Sequence, residues 1–378
     1  MIQSVRNISL TLLAASATIP ALHAYEPAAA PSAERVYVMT NNASKNEVLA
    51  FERKDNGRFH SIGRYETGGR GSGGTTDPLE SQGALSFNQD HSLLFAVNAG
   101  SGTVSSFFVA GNNLVLADQE PTVGAEPVSV AQGGGFVYVL NQGGFGGVTV
   151  FRVDAAGHLK RIPKSTTLLS ATGAGAASVA GSPDGRFLAV TERLTNNIDT
   201  FRIFPDGTLS PITTTLSKNP GAFSAIFSQA GQLLVSETGP ATTTNTSTFS
   251  SYGIHGNAAI TPISSAVPTY ATGNCWAALT PDGKRAYVSN SGSDSISGFN
   301  VAPSGALTPI GNTIVGTLPP GSHNVDIAVS ADGKFVYTQN SDSGTIGVFS
   351  IQADGMLQED ESVSGLADQA GFNGLAAY

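Results

Sequence analysis

"TPDGKRAYVSNSGSDSISGF", residues 280–299, packs an Asp-Gly turn, an alternating apolar run, an Asn-Ser-Gly loop and a second alternating run into twenty positions. Alternation on both sides of a tight turn marks an antiparallel hairpin. The same grammar recurs in "SPDGRFLAVTERLTNNIDTF" (182–201) and "SADGKFVYTQNSDSGTIGVF" (330–349), with looser copies at 88–107, 133–151 and 228–252. A truncated copy, "VYVMTNNASKNEVLAF", stands at 36–51. Each copy closes on an aromatic residue: Phe51, Phe107, Phe151, Phe201, Tyr252, Phe299 and Phe349, at intervals of 56, 44, 50, 51, 47 and 50. Seven such units fill residues 35–378.

Each unit reads as four strands. "WAALT" precedes the Asp-Gly turn, "RAYVSN" follows it, "SISGFNV" comes after the loop, and a short "LTPI" (307–310) returns, echoed by "LSPI" (209–212) and "ITPI" (260–263). Four-stranded units repeated radially make a β-propeller, in which every blade buries its faces against its neighbours. A linear β-solenoid is the rival, but its rungs are shorter and less often built from antiparallel hairpins. The predicted fold is therefore all-β, a seven-bladed β-propeller of four-stranded antiparallel blades over residues 35–378. The first unit lacks an innermost strand, and "GFNGLAAY" at 371–378 reads as an innermost strand without a blade. Pairing 375–378 beside 36–40 closes the ring from both ends.

Composition supports strands and turns over helices, with Gly 45, Pro 19, aromatics 8% and charged residues 12% of 378. Residues 1–24 read as an export signal: Arg6, then "ISLTLLAASATIPAL", too short to cross a bilayer, then a small residue at Ala24. Residues 25–34 follow as a linker, so a soluble monomer outside the cytoplasm is expected. A lone cysteine, Cys275, rules out an internal disulfide. Without Arg6 the chain carries 18 basic and 28 acidic residues, a net charge of −10. That balance argues against nucleic acid or an anionic membrane as partner, and leaves a small molecule.

In an antiparallel hairpin the start of the innermost strand and the end of the second strand lie at one edge, so two sets of residues meet at one channel mouth. The loops that feed the innermost strands include "GTTDPLESQ" (74–82), "GAEPV" (124–128), "GNCW" (273–276) and "GSHNV" (321–325). The second strands end at Asn42, Asn98, Asn141, Glu192, Glu237, Asn290 and Asn340. An Asn at such a place either caps its loop or offers an amide to a substrate. Glu192 and Glu237 break the pattern in adjacent blades. Two carboxylates on one rim can act as acid and base or hold a divalent cation; alternatively each caps its loop or pairs with Arg193. No metal-ligand spacing is specific, and no cofactor is predicted. Glu126 adds a third carboxylate, and His323 can move a proton near neutral pH or simply bond within its loop. Trp276 serves as a stacking platform or as packing. Cys275 has no adjacent His and is not read as a nucleophile. The glycine-rich stretch 68–83 precedes a strand rather than a helix, so it reads as a mobile lip over the channel instead of a phosphate cradle.

The repeats "SPDGRFLAV", "TPDGKRAYVSNSGSDSISGF" and "SADGKFVYTQNSDSGTIGVF", with the closing "GLAAY", resemble the seven-bladed lactonase family of 6-phosphogluconolactonase and carboxymuconate-cyclase relatives. "TERLTNNIDTF" (191–201) and "GNCWAALTPDGKRAYVSNSGS" (273–293) are similar to a secreted, lactonase-like branch of it. The resemblance implies the propeller and, as activity, hydrolysis or formation of a lactone ring. Members with lactonase activity tend to carry a His-Pro-His type motif before the third blade, where this chain has Glu126-Pro127-Val128, and a Pro-Arg-His type motif near a late blade, where it has Asn324-Val325-Asp326. Neither motif transfers residue by residue. Two function classes follow. In a lactone hydrolase or cyclase, Glu192 or Glu237 activates water while Arg193 or His323 steadies the oxyanion, with Glu126, Asn98, Asn141, Trp276, Asn290 and Asn340 around the substrate. In a non-catalytic propeller, the same mouth binds a small molecule, glycan or protein.

Overall fold

The computed structural model describes residues 34–378 apart from 55, 56 and 361. The export signal read at 1–24, and the linker up to residue 33, lie outside the described residues. In the opening motif, Asp282 Oδ1 accepts the Thr280 hydroxyl at 2.7 Å and the Lys284 N–H at 3.0 Å, while Gly283 adopts φ 68°. Ser182–Asp184 and Ser330–Asp332 repeat the cap at 2.7 and 2.8 Å. A side chain that satisfies turn backbone in this way fixes where the innermost strand ends and the second begins.

Seven antiparallel sheets result. Blade 1 holds Arg35–Met39, Glu47–Arg53 and Phe59–Glu66, completed by Leu375–Ala377. Blades 2 to 7 begin on the innermost strands Leu85–Phe87, Ala125–Gly133, Ala176–Gly181, Ala222–Phe227, Asn274–Leu279 and Asn324–Val329. The outer strands of blades 3 and 7 are each split into two short pieces. The aromatic residues that mark the repeat, from Phe51 to Phe349, are all buried, because each lies on the third strand of its blade (the middle of blade 1) and packs into the core between blades. Ring closure follows the expected pairing, in the register Val36 opposite Ala377, Tyr37 opposite Ala376 and Val38 opposite Leu375. Arg35 Nη1 donates to the Tyr378 hydroxyl at 2.7 Å, adding a side-chain tie at the seam.

Three local expectations change. The fourth strand of blade 4 is Thr213–Leu216; "LSPI" contributes only the bridge Ile203–Leu209. The second strand of blade 1 stops at Met39, and Asn42 is an exposed residue whose Oδ1 accepts Ser44 N–H at 2.9 Å. Glu34, placed in the linker, is bound into the propeller through Arg53 at 3.2 Å and the Tyr337 hydroxyl at 3.0 Å.

The largest correction concerns residues 74–83. We call the edge with the second-strand ends upper and the edge with the Asp-Gly turns lower. Instead of lying over the upper mouth as a lip, the segment runs into the channel, where Leu79 and Ser81 are buried. The Ser81 hydroxyl donates to Val128 O of blade 3 at 2.8 Å, and Gln82 N–H to Ala177 O of blade 4 at 2.9 Å. Trp276 Nε1 of blade 6 donates to Ser81 O at 2.8 Å, and the Gln82 amide bonds both Ala277 O and Ala277 N–H, at 3.0 and 2.9 Å. Thr76 donates to Asp342 of blade 7 at 2.8 Å. A stretch bonded through its backbone to blades 4 and 6 and through its side chains to blades 3, 6 and 7 is a plug.

Candidate functional site

The Asn positions at the upper edge are buried and occupied. Asn98 accepts from Thr67 and Asn46 at 2.6 and 3.0 Å and donates to Thr103 and Ser105 at 3.0 and 2.8 Å. Asn290 donates to Ser295 and Ser297 at 3.2 and 2.9 Å, and Asn340 to Thr345 at 3.0 Å. Asn141 bonds the carbonyls of Val139 and Gly147, both at 3.3 Å. The repeated device ties the end of the second strand to the third strand and, through Thr67 in the case of Asn98, to the preceding blade. The loop-cap reading therefore describes all four, and none presents its amide to solvent.

Glu192 and Glu237 end the second strands of blades 4 and 5, and each accepts hydrogen bonds from its own set of donors. Glu237 accepts the hydroxyls of Ser217, Thr248 and Ser250 and the Lys218 N–H. Burial pushes its pKa up. Glu192 accepts the Ser170 N–H at 2.8 Å together with the hydroxyls of Ser170 and Thr195. Beside it, Asp199 Oδ2 has no donor among the described residues, and burial and the Glu192 carboxylate push the Asp199 pKa up. A proton on that oxygen, given to Glu192, resolves the clash of two buried carboxyls. Both glutamates thus act as caps. Among the described residues no three His, Cys, Asp or Glu side chains gather so as to hold a metal ion.

Arg193 and His323 do reach the upper mouth, where the plug supplies their partners. Arg193 pairs with Glu80, and its buried Nε has no hydrogen-bond partner among the described residues. Asp77 Oδ1 accepts Asn373 Nδ2 at 2.7 Å and Glu80 N–H at 3.1 Å, within the electrostatic field of Arg193. Burial pushes Asp77 up to about 7, against the pull of Asn373 and Arg193. His323, half-exposed, stands 3.4 Å from Asp342 through Nδ1, and Asp342 in turn holds Thr76. Cys275 lies buried in the same field, with its thiol pKa pushed up by desolvation. Trp276 takes the packing role, edge-on to Phe223 at 5.1 Å between ring centres, with its N–H spent on the plug. Glu126 is partly exposed in a left-handed conformation, φ 55°, and bonds to neither rim glutamate.

The sequence reading missed Asp77, Glu80 and Asp326. The first two sit in a glycine-rich stretch that looked like a loop without a destination. Asp326 is a lone carboxyl in the apolar innermost strand "NVDIAV", a place where a charge demands a reason; its oxygens accept Ile327 and Leu375 N–H, both at 2.8 Å.

The profile described as "Lactonase, 7-bladed beta-propeller" matches residues 146–238 and 248–367, more than half of the chain. The chain belongs to the seven-bladed β-propeller lactonase family. Comparison with curated proteins finds no match. Among solved structures, this lactonase-family propeller is similar to a candidate 6-phosphogluconolactonase from Bacteroides fragilis, at 20% identity and TM-score 0.67, covering 93% of this chain and all of the other. The Pseudomonas aeruginosa periplasmic gluconolactonase aligns at 21% identity and TM-score 0.68 over 90% of this chain and 99% of that one. A functionally unknown protein from Desulfotomaculum acetoxidans reaches 0.69 at 14% identity over 90% and 98%. At such identities the likeness establishes the shared fold.

Proposed function

We propose that this family member is an exported lactone hydrolase whose reacting groups are Asp77 and Arg193 at the upper mouth. The observation that carries the reading is a carboxyl poised at about 7, in the field of a guanidinium whose Nε–H is unspent. Asp77, when ionised, takes a proton from water as that water attacks the lactone carbonyl. The partly exposed Arg193 guanidinium stabilises the oxyanion that forms by its positive charge. The acyl–oxygen ring bond then breaks, and Asp77 returns the proton to the departing ring oxygen, giving the open hydroxy acid. A general base with a pKa near the working pH is both ionised and basic enough to act. His323, held by Asp342, borders the same mouth and assists in binding. Export rests on the N-terminal signal, and a periplasmic gluconolactonase among the structural neighbours agrees with it.

The test is turnover of a lactone panel by the purified protein. Asp77→Asn lowers kcat/KM by about 10²–10⁴-fold, the usual worth of a general base, and Arg193→Gln by about 10²–10³-fold. Activity rises with pH through about 7 as Asp77 ionises. Turnover that survives both substitutions, or a panel with no substrate, rejects the assignment.

A further inference from the structure

A cavity of about 530 Å³ lies at the lower mouth, the opposite end of the channel from Asp77 and Arg193. Its walls come from the lower ends of the innermost strands of blades 2 to 6 and the turns that follow them. The plug reaches this cavity through Gln82, whose amide is bonded to Ala277 of blade 6. A volume within the range of ligand pockets, about 300–1,000 Å³, accommodates one or two sugar rings.

The polar side chains of the wall are mostly amides and hydroxyls, set among apolar residues such as Val130, Ile226 and Leu279. Four glutamines, Gln82, Gln89, Gln132 and Gln229, line it with Ser86 and Ser178. Among the described residues the single ionisable one in the lining is Asp184, and its carboxylate is already held by its own turn through Ser182 and Arg186. No described Lys, Arg or His lines the pocket, so an anion entering it leaves water without gaining a countercharge from them. Amide and hydroxyl side chains donate and accept in equal measure, which is what a ligand hydroxyl asks of its partners. Phe87 and Phe227 add apolar surface of the kind that covers the C–H face of a ring.

We propose that the lower mouth is a binding site for a neutral, hydroxyl-rich molecule the size of one or two sugar rings, separate from the upper reacting site. It admits a sugar or a closed sugar lactone and turns away the open acid, which carries a carboxylate. Glycines permit the site: a Cβ on Gly181 would stand 2.4 Å from Gln132 O, and one on Gly185 2.6 Å from Gly134 Cα, so the walls of blades 3 and 4 can meet only without side chains there.

Calorimetric titration of the purified protein with D-glucose, D-galactose and maltose, against gluconate and glucosamine, tests this. At least one neutral sugar binds saturably, and the charged pair binds at least tenfold more weakly. Gln132→Ala and Gln229→Ala each weaken binding, and together by at least tenfold; Gln229 is exposed at a turn, so its substitution leaves the fold intact if that of Gln132 does not. Asp77→Asn and Arg193→Gln leave sugar binding unchanged, which separates this site from the upper one. No saturable heat from any neutral sugar, equal binding of gluconate, or indifference to both glutamine substitutions overturns the proposal.

Discussion

Asp326 Oδ2 accepts the backbone N–H of Leu375 at 2.8 Å, so an innermost strand of blade 7 holds the strand that closes blade 1. Neighbouring blades are thereby joined across the seam by a side chain as well as by packing. Deleting residues 375–378 removes three strand pairs and the burial of Leu375 and Tyr378, and the expected loss is at least roughly 5 kcal/mol. Asp326→Ala leaves two buried N–H groups unpaired and costs about 1–3 kcal/mol for each. Urea melts measure both; a truncated protein with the parent midpoint contradicts the closure.

Stability falls as pH rises from 5 to 9. Burial raises the folded-state pKa of Asp326 to about 8 and of Asp77 to about 7, above the ordinary carboxyl value. The folded state therefore holds these protons more tightly than the unfolded chain. Their contribution is complete below about pH 4 and is lost as pH climbs through the folded values, with a tenfold change in proton affinity worth about 1.4 kcal/mol. Asp326→Asn flattens the profile above pH 7, whatever it costs at pH 5. A parent profile that is level across this range argues that both groups are ordinary.

The rim glutamates are tested by separating folding from turnover. Glu237→Gln turns an amide N–H toward hydroxyls that already donate and lowers stability by about 1–2 kcal/mol, with turnover per folded molecule unchanged. Asp199→Asn, whose amide can donate where the protonated carboxyl does, is nearly neutral, whereas Glu192→Gln, facing the Ser170 and Thr195 donors, is not. If turnover collapses in Glu237→Gln while the melt is unmoved, the cap assignment fails.

Leu79→Ala hollows out the plug beneath the upper mouth and costs about 2–5 kcal/mol, as buried leucines do. Hydrogen exchange at Gln82 N–H, bonded to blade 4, is as slow as in the innermost strands. Rapid exchange there restores the mobile-lip reading.

The Cys275 thiol, desolvated and with its pKa raised, stays unmodified by an aromatic disulfide reagent in the native protein and reacts stoichiometrically once urea unfolds the chain. Labelling at native rates like those of free cysteine would show an open site.

The propeller was legible because its signals are local and repeated. Asp184, Asp282 and Asp332 write their turns, Phe299 and its counterparts each core position, and the broken first copy announces the seam. The functional site was less so. Asn98 and Glu237 share one mechanical task, and the sequence reading took the difference in charge for a difference in role. Asp77 gains its character from burial in the propeller, beside Arg193 and Asn373 more than a hundred positions away, and nothing within its own stretch carries that information. Where a segment goes when it leaves the repeat is a long-range question, and Leu79, the apolar residue in the midst of polar neighbours, was the one clue that part of 74–83 turns inward.

The plug has an evolutionary corollary. Propellers gain and lose petals by copying whole repeats, a change that widens or narrows the ring. In this protein an axle seated against petals three, four, six and seven fixes the diameter of the hub: an eighth petal would carry Ala177 and Trp276 out of reach of Ser81 and Gln82, and a sixfold ring would leave Leu79 no room. Its petal number can drift only together with the stretch that gauges it.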